Sequence, residues 1–413
     1  MNKKIEEIHQ ILLFTSKLID NLDNYINAFY ELYPKDLQKE QIQDKLIAET
    51  ALLLYIVNRL PKTYGLNDLV LQIANKIEKY ARNPKHLLML SYNPQAVIGV
   101  GLAHVMLNKL GITNDFFDET IRLAFSSKFI SSVDRPNFRQ MEMEWLYGVY
   151  ENTQANFSDL LPCSLILKPM HPIYMRREDA YAITHALMYI TNFGETDFND
   201  IDKSILSGFV ENCISWCLAY ADWDLLIEVL IVDLLIDNEK SQFYLMADNI
   251  LNKIFAQDKV IQSLNFSNDR YNELEQQDKE AYFMMQAYHT TYVYAIFRAM
   301  EIYKHTKTNN NATSSYNKDL TNNLALPIVN SLKPLDYSQL INFILTENIE
   351  NCSVLINAKI IYFAQENMHE KLFSAIQAYE NGDNIRLKET CAVAGEKIIQ
   401  YIRATAYKQL IEA

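Results

Sequence analysis

Apolar residues return every three to four positions along most of this chain, the spacing that lines one face of an α-helix. The pattern predicts helices over 5–33, 37–60, 66–80, 95–110, 116–129, 136–150, 178–192, 201–220, 224–236 and 242–255. It continues over 279–303, 337–345, 354–365, 372–379 and 385–411, which makes about fifteen helices. Breaks such as Asn93-Pro94, Gly111-Ile112-Thr113-Asn114 and Asp134-Arg135-Pro136 supply helix stops and starts. Nine glycines and ten prolines in 413 residues leave few turn positions for a sheet. The expectation is an all-α chain.

Mostly short links imply successive antiparallel hairpins, which either coil into an open solenoid or close into a ring. No fixed-period repeat is visible, and several helices read as apolar on nearly all sides. Both features favour a closed α/α toroid, read as a single all-helical domain over 1–413. Two stretches interrupt the pattern. Residues 161–172, with Pro162, Pro169 and Pro172, should run extended over the surface. Residues 306–323 form a polar, low-complexity segment expected to be a mobile loop.

Charge narrows the function. With 38 basic against 51 acidic residues the formal charge is -13, which repels phosphate backbones and argues against nucleic-acid binding. The longest apolar stretch, 225–236, is interrupted by Glu228 and Asp233 and falls short of the roughly 20 residues a membrane span needs. The start, Met1-Asn2-Lys3-Lys4, runs straight into an amphipathic pattern with no leader-like segment, so a cytoplasmic location is expected. Five cysteines without CxxC spacing read as reduced, buried thiols. Cys213 and Cys217 share a helix face and are the one pair with spacing for a metal.

Candidate chemistry concentrates in four patches. In the helix that begins near Asp222, a rotation of about 100° per residue puts Asp222, Asp233 and Asp237 on one side, expected to face water. Asp224 and Glu228 share the other side and should point inward, as paired carboxylates or as hydrogen-bonded anchors. Around 135–145, Phe138, Met141 and Trp145 form an apolar stripe, while Arg135, Arg139 and Glu142 form a second that suits either a structural ion pair or a clamp on an anionic substrate. Tyr181 and His185 share one face, as do His289 and Tyr292. An imidazole on such a face serves as a general base, a metal ligand or a hydrogen-bonded core group. His104 and His171 are weaker candidates, and His9, His86, His305 and His369 read as surface residues.

The assigned set is therefore His185, His289, Glu142, Asp224 and Glu228 for catalysis, with Arg139, Tyr181, Trp145 and Tyr292 for binding. The cofactor is unknown, with a divalent metal as the candidate. No GxSxG elbow, P-loop, GxGxxG, HExxH, EF-hand or DDxxD run is present.

The stretch Arg177 to Tyr189 resembles a signature of an uncharacterised bacterial family of all-helical proteins often associated with natural-product biosynthetic loci. The resemblance extends to 135–142, 222–228 and Tyr288-His289-Thr290-Thr291. It implies a shared pocket without an assigned reaction. Two functions follow as expectations. One is an enzyme, or accessory enzyme, of natural-product or peptide modification, acting on a small molecule or peptide at one mouth of the toroid. The other is a non-catalytic scaffold binding a peptide or protein partner, for which 26 tyrosines would supply contact area.

Overall fold

The computed structural model describes residues 2–33, 38–168, 174–197, 203–236, 240–309 and 353–381. Sixteen α-helices and no strand occur among them. They group into two compact units. The first holds Met1–Cys163, His185–Asp197 and the chain from Asp258 through the end of the long helix Gln276–Asn309; the second holds Ser164–Thr184, 203–257 and the helices beyond 352.

The first unit opens with α1 (Asn2–Asp20) and α2 (Leu22–Leu32), where the sequence pattern predicted one continuous helix. Asn21 is the cause of the break: its side-chain amide donates to the Lys17 carbonyl at 3.0 Å and competes with the helical ladder. Next come α3 (Lys39–Val57), α4 (Asn67–Ala81) and α5 (Pro84–Tyr92). The periodicity reading passed over α5, although Asn83 caps it through Lys85 N–H at 3.0 Å and Pro84 occupies its first turn. The predicted helix 95–110 is composite. A 3-10 turn at Pro94–Ala96 and a π-helical turn at Val97–Gly101 precede α6 (Leu102–Lys109). Gly101 is needed there, since a Cβ would lie 2.8 Å from both Ile121 Cδ1 and Val97 Cγ2.

Helices α7 (Asp115–Ser126) and α8 (Asn137–Glu151) follow, then α9 (Arg177–Ile190), whose residues from His185 onward belong to this unit. After the short α13 (Asn268–Glu273), α14 (Gln276–Asn309) runs 34 residues, about 50 Å at 1.5 Å per residue. It packs against α1, α2 and α3, and Ile8, Ile11 and Leu12 of α1 and Leu46, Leu53 and Leu54 of α3 are buried in this unit's core. The predicted loop start at 306 is thus still helix, and 310–323 lies outside the described residues.

In the second unit α10 (Lys203–Tyr220) packs against α11 (Trp223–Ile236) and α15 (Ser353–Gln365), and α15 against α16 (His369–Asn381); α12 spans Gln242–Asp258. Helix α11 has twelve buried residues and no solvent face. That corrects the assignment of Asp222 and Asp233 to water: both are buried, because a helix apolar all round has packing on every side. Asp237 is outside the described residues. The proline-rich stretch contains two short 3-10 turns, Leu161–Cys163 and Leu165–Leu167, rather than an extended strand-like run; His171 lies outside the described residues. The predicted helices 337–345 and 385–411 also fall there. Cys163 is exposed, unlike the expected buried thiol, while Cys213 and Cys217 are buried.

Candidate functional site

In the first unit, four helices bring polar side chains together. Helix α3 carries Glu49, α8 carries Phe138, Arg139 and Glu142, α9 carries His185 and Tyr189, and α14 carries His289. Arg139 Nη1 donates to Glu142 Oε2 at 2.7 Å, an i,i+3 pair on α8. Burial works against the Arg139 charge, but Glu142, with Tyr189 and Glu49 adding their fields, raises its pKa above the ordinary arginine value. His289 Nδ1 lies 3.0 Å from Glu49 Oε2, with the imidazole side chain 33% exposed. The Glu49 carboxylate thus faces the Nδ1 edge of the ring, with Nε2 on the other side.

Aromatic rings line the same helices. Phe138 meets the edge of His185 at 5.8 Å between centroids, His185 meets Tyr189 at 6.0 Å, and Tyr189 stacks on Trp145 at 5.3 Å. The Arg139 guanidinium sits 5.1 Å from the Phe138 centroid. Trp145 is buried, and its indole N–H donates to Asn192 Oδ1 at 2.8 Å. Asn192 also takes Arg59 Nη1 on its carbonyl at 2.9 Å and Arg59 Nη2 on its side chain at 3.1 Å. Asn192, Phe193 and Gly194 all have left-handed φ angles (46°, 52° and 81°), so α9 ends in a turn pinned by that side chain. Asn192→Ala is expected to destabilise the protein by about 2–4 kcal/mol, since it strands buried donors and leaves a Cβ residue without compensation in the left-handed region. Thermal or urea unfolding of the variant measures it.

Of the candidate residues, Arg139, Glu142, His185 and His289 lie on these four helices, and Glu49, which sequence reasoning overlooked, lies beside His289. Its only signal was a charged residue followed by Thr50 inside an apolar helix. Thr50 in turn donates to the Tyr292 hydroxyl at 3.2 Å. Tyr292 is fully buried, and burial pushes its phenol pKa up, so it braces α14 against α3. Arg135 does not extend the Arg139–Glu142 stripe. It precedes α8 and donates to the carbonyls of Ile130 and Gln95 at 3.1 and 3.0 Å.

The other assigned acids belong to the second unit. Asp222, preceded by Ala221 in the left-handed region (φ 52°), accepts Leu225 N–H at 3.3 Å and so caps α11. Arg177 forks onto Asp222 at 2.5 and 3.1 Å, and also reaches the Tyr181 hydroxyl at 2.9 Å. The Tyr181 hydroxyl donates to Asp224, and Thr184 donates to Glu228 at 2.6 Å. Burial first, then the charges of Asp224 and Glu228, push the Tyr181 pKa far up, so it remains a neutral donor. Asp224 and Glu228 thus point inward as the pattern predicted, held by hydroxyls and a guanidinium.

Two histidines read differently in three dimensions. His86 is buried, with Nε2 2.9 Å from Asp44, which corrects its assignment to the surface. His104 is sealed between Arg82 Nε at 3.1 Å and Asp118 Oδ1 at 3.2 Å. His305 and His369 are exposed, as expected. Among the described residues, no group of three or more His, Cys, Asp or Glu side chains is placed to hold a metal ion. None of the described helices is long and apolar enough to cross a membrane.

A family model described as a domain of unknown function, DUF6895, matches residues 19–299, and the chain belongs to that family. No curated protein and no solved structure matches.

Proposed function

We propose, for this member of a family without an assigned activity, that the first unit binds a small molecule or peptide and that His289 moves a proton on it. The observation that carries the reading is the carboxylate–imidazole pair Glu49–His289, partly open to solvent. Glu49 would orient the ring and stabilise the imidazolium that forms when Nε2 takes a proton. Arg139, about half exposed while bound to Glu142, would anchor an anionic group of the ligand. Phe138, His185 and Tyr189 would form the apolar wall, with Trp145 acting through Tyr189 as a positioning residue. In the second unit Tyr181, Asp224 and Glu228 would hold α9 to α11 rather than touch the reacting atoms.

The α/α toroid is favoured within the first unit by α14, the last long helix, which packs back onto α1 and α2 as a closed ring requires and an open solenoid does not. A bacterial role in natural-product or peptide modification rests on the sequence resemblance. A divalent metal is the candidate cofactor, and among the described residues no group of three or more His, Cys, Asp or Glu side chains is placed to hold it.

A thermal-shift screen with small carboxylates, amino acids and short peptides tests the proposal. At least one carboxylate-bearing probe should stabilise the wild-type chain, and Arg139→Gln should remove that shift. His289→Gln should keep the unliganded melting temperature while abolishing turnover of the stabilising probe, or its binding. Absence of any stabilising probe, or equal shifts in wild type and both variants, would reject the site. The competing scaffold reading draws on the exposed apolar residues Leu88, Tyr92, Phe116 and Leu123. It would be favoured by stabilisation from a protein partner alone.

A further inference from the structure

A cleft in the first unit shares no lining residue with the Glu49–His289 site. It holds about 600 Å³, within the ~300–1,000 Å³ range of small-molecule sites, and lies where α1 gives way to α2, against the last turns of α4. Three acids, Asp20, Asp23 and Glu78, and three bases, Lys76, Lys79 and Arg82, are among the side chains that line it. Its occupant is therefore polar.

Most of these charges are already matched. Lys76 Nζ lies 2.7 and 2.8 Å from the two carboxylate oxygens of Asp20 and donates to Ser16 Oγ at 3.0 Å. Arg82 has all five of its N–H donors engaged. Its Nε donates to His104, Nη1 to Glu78 and the Thr113 carbonyl, and Nη2 to Asn108 and the Ile112 carbonyl. Two charges remain. Lys79 on α4 and Asp23 on α2 make no ion pair among the described residues, either with one another or with any other group. Asn75, one turn before Lys79, and Asn24, next to Asp23, also line the cleft, and their side-chain amides have no protein partner among the described residues.

Tyr80 limits the distance between the two charges. Lys79 Nζ sits 4.6 Å from its ring centroid, and its hydroxyl donates to Asp23 Oδ2 at 3.3 Å. Across the phenol, the ammonium and the carboxylate are therefore at most about 11 Å apart, and hydrogen bonds of about 2.8 Å at each end leave about 5 Å or less for a ligand. One extended residue spans roughly 3.5 Å and two span roughly 7 Å, so a single amino-acid unit bridges the gap and a dipeptide overruns it.

We propose that this cleft binds a free amino acid with a polar side chain. Lys79 takes its carboxylate, Asp23 takes its ammonium, and the amides of Asn24 and Asn75 hydrogen-bond the side chain. A ligand with either end blocked leaves Lys79 or Asp23 without a counter-charge, which is how the site selects the zwitterion.

Titration calorimetry of the full chain with L-glutamine tests it. The wild type should bind glutamine with a dissociation constant below about 1 mM. N-acetylglutamine, glutamine α-amide, glycylglutamine and leucine should each bind at least about tenfold more weakly. Lys79→Gln should erase the preference for glutamine over its α-amide, and Asp23→Asn the preference over N-acetylglutamine. Both variants should keep the wild-type melting temperature, because both side chains are exposed. Arg139→Gln, in the other site, should bind glutamine as the wild type does. A chain that does not bind glutamine overturns the proposal, as does equal binding of a blocked form, the dipeptide or leucine. So does a preference that survives its variant, or a loss of glutamine binding in Arg139→Gln, which would place the amino acid at the Glu49–His289 site instead.

Discussion

Replacing Arg298 with methionine is expected to destabilise the protein by about 3–5 kcal/mol, a large share of the total stability of an ordinary domain. Arg298 lies on α14 with no exposed surface, and its guanidinium reaches Glu7 at 3.0 Å, Glu301 at 2.5 Å and the Tyr294 hydroxyl at 2.7 Å. Glu7 and Glu301 are themselves buried, with Lys4 on Glu301 at 2.7 Å and the partly exposed Lys3 on Glu7 at 3.6 Å. Methionine fills most of the space and keeps the contacts with Tyr294 and Phe297, so packing loss is small. What remains is two carboxylates out of water whose central counter-charge is gone. The prediction separates charge from volume: adding Glu7→Gln and Glu301→Gln to Arg298→Met should recover much of the loss. Urea unfolding of the single and triple variants measures both. A triple variant no more stable than the single one would show that packing, rather than uncompensated charge, sets the cost.

Stability should also fall as the solution is acidified from pH 6.5 to about 4, with His104 as an identifiable cause. Its pKa is lowered from 6.5 to about 4, chiefly by burial and further by the Arg82 charge, while the Asp118 hydrogen bond and charge act the other way. The neighbours explain the preference. Arg82 Nε donates to His104 Nδ1, which must therefore carry a lone pair, and the Nε2 proton goes to Asp118. The sign follows from proton uptake. Between the two pKa values the unfolded chain binds a proton that the folded chain refuses, so the contribution is fully present above pH 6.5 and lost by about pH 4. A shift of that size corresponds to roughly 3 kcal/mol.

Another group works in the opposite direction. Burial, and then the charge of Asp233, push Glu211 up to about 7 from the ordinary 4.5. Its folded form holds a proton the unfolded chain has released, so its contribution is present below pH 4.5 and lost as the pH rises through 7. The His104 effect is therefore read as a difference. Urea unfolding of wild type and His104→Asn across pH 4 to 7 should give curves that converge on acidification, since only the wild type carries this histidine's dependence. Parallel curves would mean that His104 titrates normally in the folded protein.

The helices were legible because helical periodicity is a local property. Apolar spacing over three turns located α3, α4, α8, α10 and α11 to within a few residues, and Asn83-Pro84 would have located α5 had caps been weighed above periodicity. The candidate site was legible only by half. His289, Arg139 and Glu142 stand out as polar groups inside apolar helices, so their residue types alone draw attention. Glu49 does not, because what distinguishes it is a partner 240 positions away. Arg298 looks like any charged residue on a long helix until α1 is laid against it. On α11 the acids misled for a related reason. Side-by-side position on a helical wheel was taken to mean a solvent face, yet packing encloses the whole helix, and Arg177 reaches Asp222 inside it.

Taken by itself, the amino-acid order determined that this chain is helical, where most of its helices lie, and that its polar exceptions concentrate in a few segments. Those properties depend on hydrogen bonds four residues apart and on side-chain spacing within a turn or two. Tertiary structure alone decided which charges are buried together, which histidine meets a carboxylate and which apolar side chains remain in solvent. Each of these depends on contacts between helices far apart in the chain, and the preference of one helix for a partner is not written in its own period.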